Sequence, residues 1–128
     1  MPPPIPPGVA AALSLLPERL LRARALIFAA AQTTQTAPLT ETLKWGQPAY
    51  LPAGKAGTTL RLGATNRKPT LFVPCSTTLL DRYRAIFPTE FTYLGNRAVV
   101  LPASAPFPDA AFQQLAAMAL TYHRDKRR

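Results

Sequence analysis

Apolar residues recur along the chain at two different spacings, and each spacing predicts a different kind of element. Between residues 17 and 33 they return every three or four positions, which is the period of a helix with one buried face. Similar spacing predicts helices over 76–87 and from about 109 to 124. Over 58–64, apolar and polar residues alternate instead, which predicts a strand with one buried face.

Short extended segments separated by turn residues lie between these helices. They cover 39–45, 49–51, 58–64, 70–73, 91–94 and 97–101. Asn66-Arg67-Lys68 and Gly95-Asn96 are typical of hairpin turns, and Gly46-Gln47-Pro48 predicts a bend between the first two strands. Strands joined by tight turns pair antiparallel, and helices must cover one face of the resulting sheet. We therefore expect an α+β two-layer sandwich with the order α-β-β-β-β-α-β-β-α.

The 128 residues suffice for one domain, which we place at 13–124. Residues 1–12 are rich in proline and predict a flexible leader, while 125–128 form a basic tail. The first residues lack the basic segment of a signal peptide. No stretch reaches the roughly 20 consecutive apolar residues that span a bilayer. We expect a cytoplasmic protein without membrane contacts.

Charge is the strongest global feature of the sequence. Fifteen Lys and Arg residues face six Asp and Glu residues, which gives a formal net charge of +9. A positive field attracts nucleic acids, anionic metabolites and acidic protein surfaces. The same field opposes exposed sites for hard cations, which need clustered oxygen ligands.

Reactive side chains are few and dispersed. The six carboxylates are scattered along the chain, so no pair suggests acid–base catalysis. Cys75 and His123 are the single residues of their kinds and lie far apart in the sequence. Metal sites use several clustered ligands. We therefore expect no catalytic residue, no metal site, no cofactor and no enzymatic activity.

The most distinctive segment is Lys44-Trp45-Gly46-Gln47-Pro48-Ala49-Tyr50. It resembles the signature of the YdhG-like family, a group of small bacterial domains of unknown function. The resemblance extends from about residue 16 to about residue 122. It implies a frataxin-like fold. Because some members of the family are labelled iron chaperones, it also makes a frataxin-like iron chaperone one alternative function.

The same segment predicts a binding site for a small anionic ligand or an acidic protein partner. Trp45 and Tyr50 are aromatics that can line a groove, and Lys44 with Arg61 on a neighbouring strand adds positive charge. The predicted ligand-binding residues are Lys44, Trp45, Gly46, Pro48, Tyr50 and Arg61. A purely structural role stays open, in which Trp45 and Tyr50 fill the core beside a required turn.

A second alternative is binding of nucleic acid without sequence preference. The residues for that role are Arg67, Lys68, Arg82, Arg84, Arg124, Lys126 and Arg127. It requires these side chains to converge on one face and predicts an affinity that falls steeply with salt. Formation of a homodimer through a sheet edge is a further interaction that the sequence leaves open.

Overall fold

The computed structural model describes residues 2–126, which form one helical layer and one sheet. The helices are α1 (Pro7–Ser14), α2 (Arg19–Thr34), α3 (Leu79–Ile86), α4 (Asp109–Leu120) and α5 (Tyr122–Lys126), with a 3-10 turn at Ala53–Lys55. The strands are β1 (Thr40–Lys44), β2 (Gln47–Leu51), β3 (Leu60–Thr65), β4 (Lys68–Phe72), β5 (Thr92–Leu94) and β6 (Ala98–Val100). All neighbouring strands are antiparallel, in the order β1-β2-β3-β4-β6-β5. The α+β architecture is confirmed.

The core lies between the sheet and the helices. Alternation along the strands turns Leu60, Leu62 and Leu71 toward the helices, and none of the three retains any exposed surface. They pack in one cluster with residues of α2 and α4 such as Ile27 and Phe112. The predicted buried face of α2 is correct, and that of β3 holds at Leu60 and Leu62 but not at Ala64, which is exposed.

Two hairpin turns use residues in the left-handed region. Asn66 and Arg67 have φ of 50° and 67°, as a two-residue turn between antiparallel strands requires. Trp45 and Gly46 have φ of 56° and 74° and form the turn between β1 and β2. Strand β2 already begins at Gln47, so the predicted bend at Gly46-Gln47-Pro48 lies one residue too late.

The N-terminal segment contains an element that the sequence analysis missed. Residues 7–12 belong to helix α1, not to the leader predicted over 1–12. Pro7 occupies the first helical turn, where its lack of an N–H costs little. Val9 and Leu13 are 2% and 6% exposed, and both belong to the core. Burial of these two side chains holds the helix against the sheet.

Two other helices differ from their predicted bounds. Helix α3 begins at Leu79 and not near Ser76, and Thr78 at its start makes no side-chain capping bond. The spacing of apolar residues over 76–87 also predicts that Ile86 is buried, but it is 49% exposed. The predicted last helix is interrupted at Thr121, after which α5 begins. None of the helices in residues 2–126 has both the length and the hydrophobicity needed to cross a membrane.

Candidate functional site

The face of the sheet opposite the helices carries the candidate site. Along β3, Leu60 and Leu62 point to the core, so Arg61 and Gly63 between them point the other way. The strand register places Arg61 between Ala49 of β2 and Phe72 of β4, and Phe72 lies opposite Ala98 of β6. We call this side of the sheet the open face.

Arg61 is the central cation of the open face. Its Nη1 donates a hydrogen bond to Oε1 of Gln47 over 2.8 Å, and its guanidinium carbon lies 5.6 Å from the centroid of the Phe72 ring. Partial burial lowers the pKa of Arg61, and the nearby positive charge of Arg97 lowers it further. The guanidinium is thus held by a neutral amide and an aromatic ring and lies near a like charge.

Gly63 makes room for this arrangement. A Cβ at position 63 would lie 2.6 Å from Nε2 of Gln47 and 3.0 Å from Cε2 of Phe72. Any larger residue would displace the amide that binds Arg61 or the ring beside it. In the sequence Arg61-Leu62-Gly63, the arginine thus supplies the cation, and the glycine leaves space for the Gln47 side chain that binds it.

Four of the six carboxylates are paired, and their partners all lie on helices. Each of four carboxylates lies beside an arginine of a helix: Arg22 with Asp109, Arg24 with Glu41, Arg84 with Asp81, and Arg124 with Asp125. Glu41 is the only acidic residue within the strands, and it faces α2. None of the acids therefore reaches the open face from a strand.

The cations on and around the open face make up what we call the basic face: Lys44, Arg61, Arg67, Lys68 and Arg97. The register turns Lys44, Arg61 and Lys68 toward the open face. Arg67 lies in the β3–β4 turn, and Arg97 immediately precedes β6. Within residues 2–126, none of the five has a carboxylate within the 4.0 Å of an ion pair. The basic face thus carries charge without a counter-ion from the rest of the described chain.

The predicted ligand-binding residues divide between different environments. Lys44 and Arg61 share the open face, and Trp45 and Gly46 form the adjacent turn. Trp45 is 89% exposed, so it is not a core residue. Pro48 is buried on the side of the sheet that faces the helices.

Tyr50 lies on the helical side of the sheet and does not reach the open face. It has no exposed surface, and its ring contacts Phe28 edge-on at 5.8 Å between centroids. Its hydroxyl is buried beside the Arg24–Glu41 pair without a partner in hydrogen-bonding geometry. Burial raises the pKa of Tyr50, and the neighbouring Glu41 raises it further. Pro48 and Tyr50, the later part of the distinctive segment, therefore belong to the packed side of the sheet and not to the open face.

Three residues of the site were absent from the sequence prediction: Gln47, Phe72 and Arg97. Phe72 follows the buried Leu71 in β4, so strand alternation alone could have assigned it to the open face. Gln47 lies inside the distinctive segment but was assigned to its bend. The proximity of Arg97 to Arg61 depends on the pairing of β4 with β6, which the sequence does not specify.

The residues proposed for nucleic-acid binding do not form one face. Arg67 and Lys68 belong to the basic face, whereas Arg82 and Arg84 lie on α3, where Arg84 donates to the carbonyl of Gly95 over 2.6 Å. Arg124 donates to the carbonyl of Thr34 over 2.7 Å. Lys126 closes α5. Arg127, the remaining member of this set, lies outside the described residues.

The larger cavities lie away from Arg61. One of about 440 Å³ is lined by residues that include Lys68, Glu90 and Ser104. Another, of about 430 Å³, lies between the N-terminal segment and α2 and is lined by residues that include Pro3, Phe28 and Leu39. Neither cavity is lined by Arg61 or Phe72.

Clusters of metal-binding side chains are absent from the described residues: no group of three or more His, Cys, Asp or Glu occurs within 2–126. Cys75 is exposed in the loop before α3. The ring of His123 packs edge-on against that of Tyr122, with 5.4 Å between centroids. This geometry adds no support for the iron-chaperone alternative.

Comparison of the chain with protein-family models, curated proteins and solved structures gives no match. The resemblance of the Lys44–Tyr50 segment to the YdhG-like family therefore stays a prediction.

Proposed function

We propose that the chain is a non-catalytic binding domain that takes an anionic partner on the basic face, with Arg61 at its centre. One observation carries the proposal: four of the six carboxylates pair with arginines of the helices, while the five cations of the basic face have no ion-pair partner in residues 2–126. An anionic small molecule or an acidic polymer would supply the missing counter-charge.

Arg61 is well suited to bind such a partner. Gln47 and Phe72 hold its guanidinium in place, so little side-chain freedom remains to be lost on binding. The repulsion from Arg97 that lowers the pKa of Arg61 would be relieved by a negative charge between the two. A planar guanidinium also offers paired donors that match phosphate and carboxylate oxygens.

The test compares two variants with the same net charge. Arg61→Gln removes the central cation of the basic face, whereas Arg82→Gln removes a cation of α3 that lies over the ring of Tyr122. Binding of inorganic polyphosphate to each variant is measured by titration calorimetry at low salt. We expect Arg61→Gln to weaken binding at least about tenfold, since a hydrogen bond to a charged group contributes about 1.5–3 kcal/mol. Arg82→Gln should bind almost like the unmodified chain.

Two results would contradict the proposal. An unmodified chain that does not bind polyphosphate has no general anion site on the basic face. Equal losses in the two variants would mean that net charge, and not the basic face, determines binding.

A further inference from the structure

We propose that the partner of the basic face is a single-stranded nucleic acid whose bases stack on Phe72 and Trp45. This inference rests on the proposed function, because the same five cations would contact the phosphates. It differs from the earlier nucleic-acid alternative in its site, since Arg82, Arg84 and Arg124 take no part.

Phe72 provides an aromatic surface in the middle of the sheet. It is partly exposed on β4 and lies beside Arg61. Its strand neighbours on the open face are Ala98 on one side and Arg61 on the other, with Gly63 close to its ring. The guanidinium of Arg61 lies over the ring, so a planar group would approach Phe72 from the side of Ala98, where its strand partner is small. Flat sheets with aromatics and flanking cations bind single strands because every base has a surface that can stack.

Trp45 provides a second aromatic surface at the margin of the same face. It is 89% exposed and occupies a left-handed turn position, with φ of 56°, that β-branched and bulky residues seldom adopt. The indole contributes little to packing there. Trp45 directly follows Lys44, the last residue of β1, and forms with Gly46 the turn that leads to Gln47. An exposed aromatic beside a cation is what stacking with a nucleotide requires.

The shape of the face selects among anionic partners. Small ligands are usually enclosed by pockets that bury most of their surface, and neither the cavity of about 440 Å³ nor that of about 430 Å³ includes Arg61. Duplex DNA is read by an element inserted into a groove, which a broad sheet does not provide. An acidic protein would use the cations without using the exposed rings. Single strands use the charges and the rings together.

Trp45 also supplies the readout, because it is the only tryptophan of the chain. The full chain is titrated with an oligothymidylate of about 12 nucleotides, within the roughly 4–16 that comparable sheet platforms cover. An abasic deoxyribose-phosphate oligomer of equal length serves as the comparison. We expect oligothymidylate to quench Trp45 fluorescence and to bind at least about fivefold more tightly than the abasic oligomer, since one stacked base contributes that much or more.

Phe72→Leu separates stacking from charge. It should weaken binding of oligothymidylate between about 5-fold and 150-fold and leave the abasic oligomer unaffected. The matched control is Phe107→Leu, because Phe107 is also half-buried and has the guanidinium of Arg19 at 5.9 Å, but lies near the start of α2. Arg61→Gln should weaken both oligomers and reduce the slope of log affinity against log salt by about 0.7.

The outcomes distinguish this inference from the proposed function. Equal affinity for the two oligomers, with Arg61→Gln weakening both, would reject stacking and leave a general anion site. Failure of both oligomers to bind would reject both proposals. Thermal melts of each variant show whether it is folded, and Trp45→Ala, followed by anisotropy of a labelled oligothymidylate, tests stacking without changing the sheet interior.

Discussion

Arg24 is almost completely buried; it lies four residues after Leu20 and three before Ile27, so the helix period places it on the buried side of α2. Its side chain is 4% exposed and that of Glu41 is 6% exposed. Two hydrogen bonds join them, at 2.6 and 2.8 Å, and a third runs from Arg24 to the carbonyl of Pro3. The bond to Glu41 raises the pKa of Arg24. Glu41 of β1 and Pro3 of the N-terminal segment supply the partners that make this burial possible.

Removal of one partner of this pair should strongly destabilise the fold. We expect Arg24→Met to lower the free energy of unfolding by about 3–5 kcal/mol, because Glu41 would remain buried without a counter-charge. Urea unfolding measures the change. The double variant Arg24→Met/Glu41→Leu should regain most of the loss, since apolar replacements of a buried ion pair are often tolerated.

Arg22→Met is the matched control, two residues away on the same helix. Arg22 pairs with Asp109 at the surface, with its side chain 59% exposed. Surface pairs contribute little because solvent screens them. If Arg24→Met were no more destabilising than Arg22→Met, the buried pair would not hold β1 to α2.

The loop between β2 and β3 packs closely against the backbone at the end of α4, and Gly57 is the residue at the contact. A Cβ on Gly57 would lie 2.2 Å from the carbonyl oxygen of Ala119 and from the backbone of Leu120. The next residue, Thr58, donates its N–H to the same carbonyl of Ala119 over 2.9 Å, and Arg124 donates its N–H to the carbonyl of Ala56 over 2.7 Å. The loop is therefore fastened to the end of α4 and the start of α5.

Gly57→Ala should destabilise the protein because backbone atoms cannot move aside as a flexible side chain can. We expect a loss of about 1–3 kcal/mol, typical of overpacking. Gly8→Ala is the control, since a Cβ there meets only the Cδ1 of Leu43 at 3.8 Å. As Gly8 lies inside α1, alanine should add about 0.5–1 kcal/mol. Thermal and urea unfolding of both variants test the contrast; a neutral Gly57→Ala would contradict the close approach.

Elements set by local sequence were predictable, whereas those set by distant contacts were not. The turns at Asn66-Arg67 and at Gly95 were predicted correctly because Asn and Gly adopt the positive φ angles of such turns more readily than other residues do. Helix α1 was not predicted because the prolines before it and at its start are typical of an extended leader. Its position depends on the burial of Val9 and Leu13 against other elements. The start of α3 was predicted three residues too early, at Ser76, which is a residue type that often caps helices, whereas Thr78 precedes the helix.

At the scale of the whole molecule, buried tyrosines should set the alkaline limit of stability. Burial raises the pKa of both Tyr50 and Tyr83. In the unfolded chain a tyrosine ionises near pH 10, while in the fold it keeps its proton. The unfolded state therefore binds fewer protons above about pH 10, and stability falls as pH rises. Below about pH 9 both states are protonated and the effect vanishes.

We expect the free energy of unfolding to fall by about 1.4 kcal/mol per pH unit for each such tyrosine above about pH 10. Tyr50→Phe should make the decline shallower without loss of stability at neutral pH, because the hydroxyl of Tyr50 has no hydrogen-bond partner. Urea unfolding from about pH 8 to about pH 11 measures this. An unchanged slope in Tyr50→Phe would contradict the assignment.

The composition of the candidate site depends on strand pairing and on ion pairs between distant residues, so the sequence predicted only part of it. The sequence indicated a cationic surface and correctly associated Lys44 with Arg61, which the register places on one face. It could not separate Tyr50 from them, because the inward or outward direction of a side chain depends on where the turn ends. Nor could it reveal that the carboxylates pair with helical arginines, since those pairs join residues as far apart as Arg22 and Asp109.

The buried Glu41 also bears on how copies of the chain avoid one another. Strand β1 lies at one end of the sheet, and edge strands readily pair with strands of other chains. A copy of β1 that added to a foreign sheet would carry its carboxylate into an apolar layer far from Arg24. Inward-pointing charges on edge strands oppose such pairing. The ion pair between Arg24 and Glu41 therefore has two effects: it holds β1 to α2, and it opposes aggregation through the β1 edge.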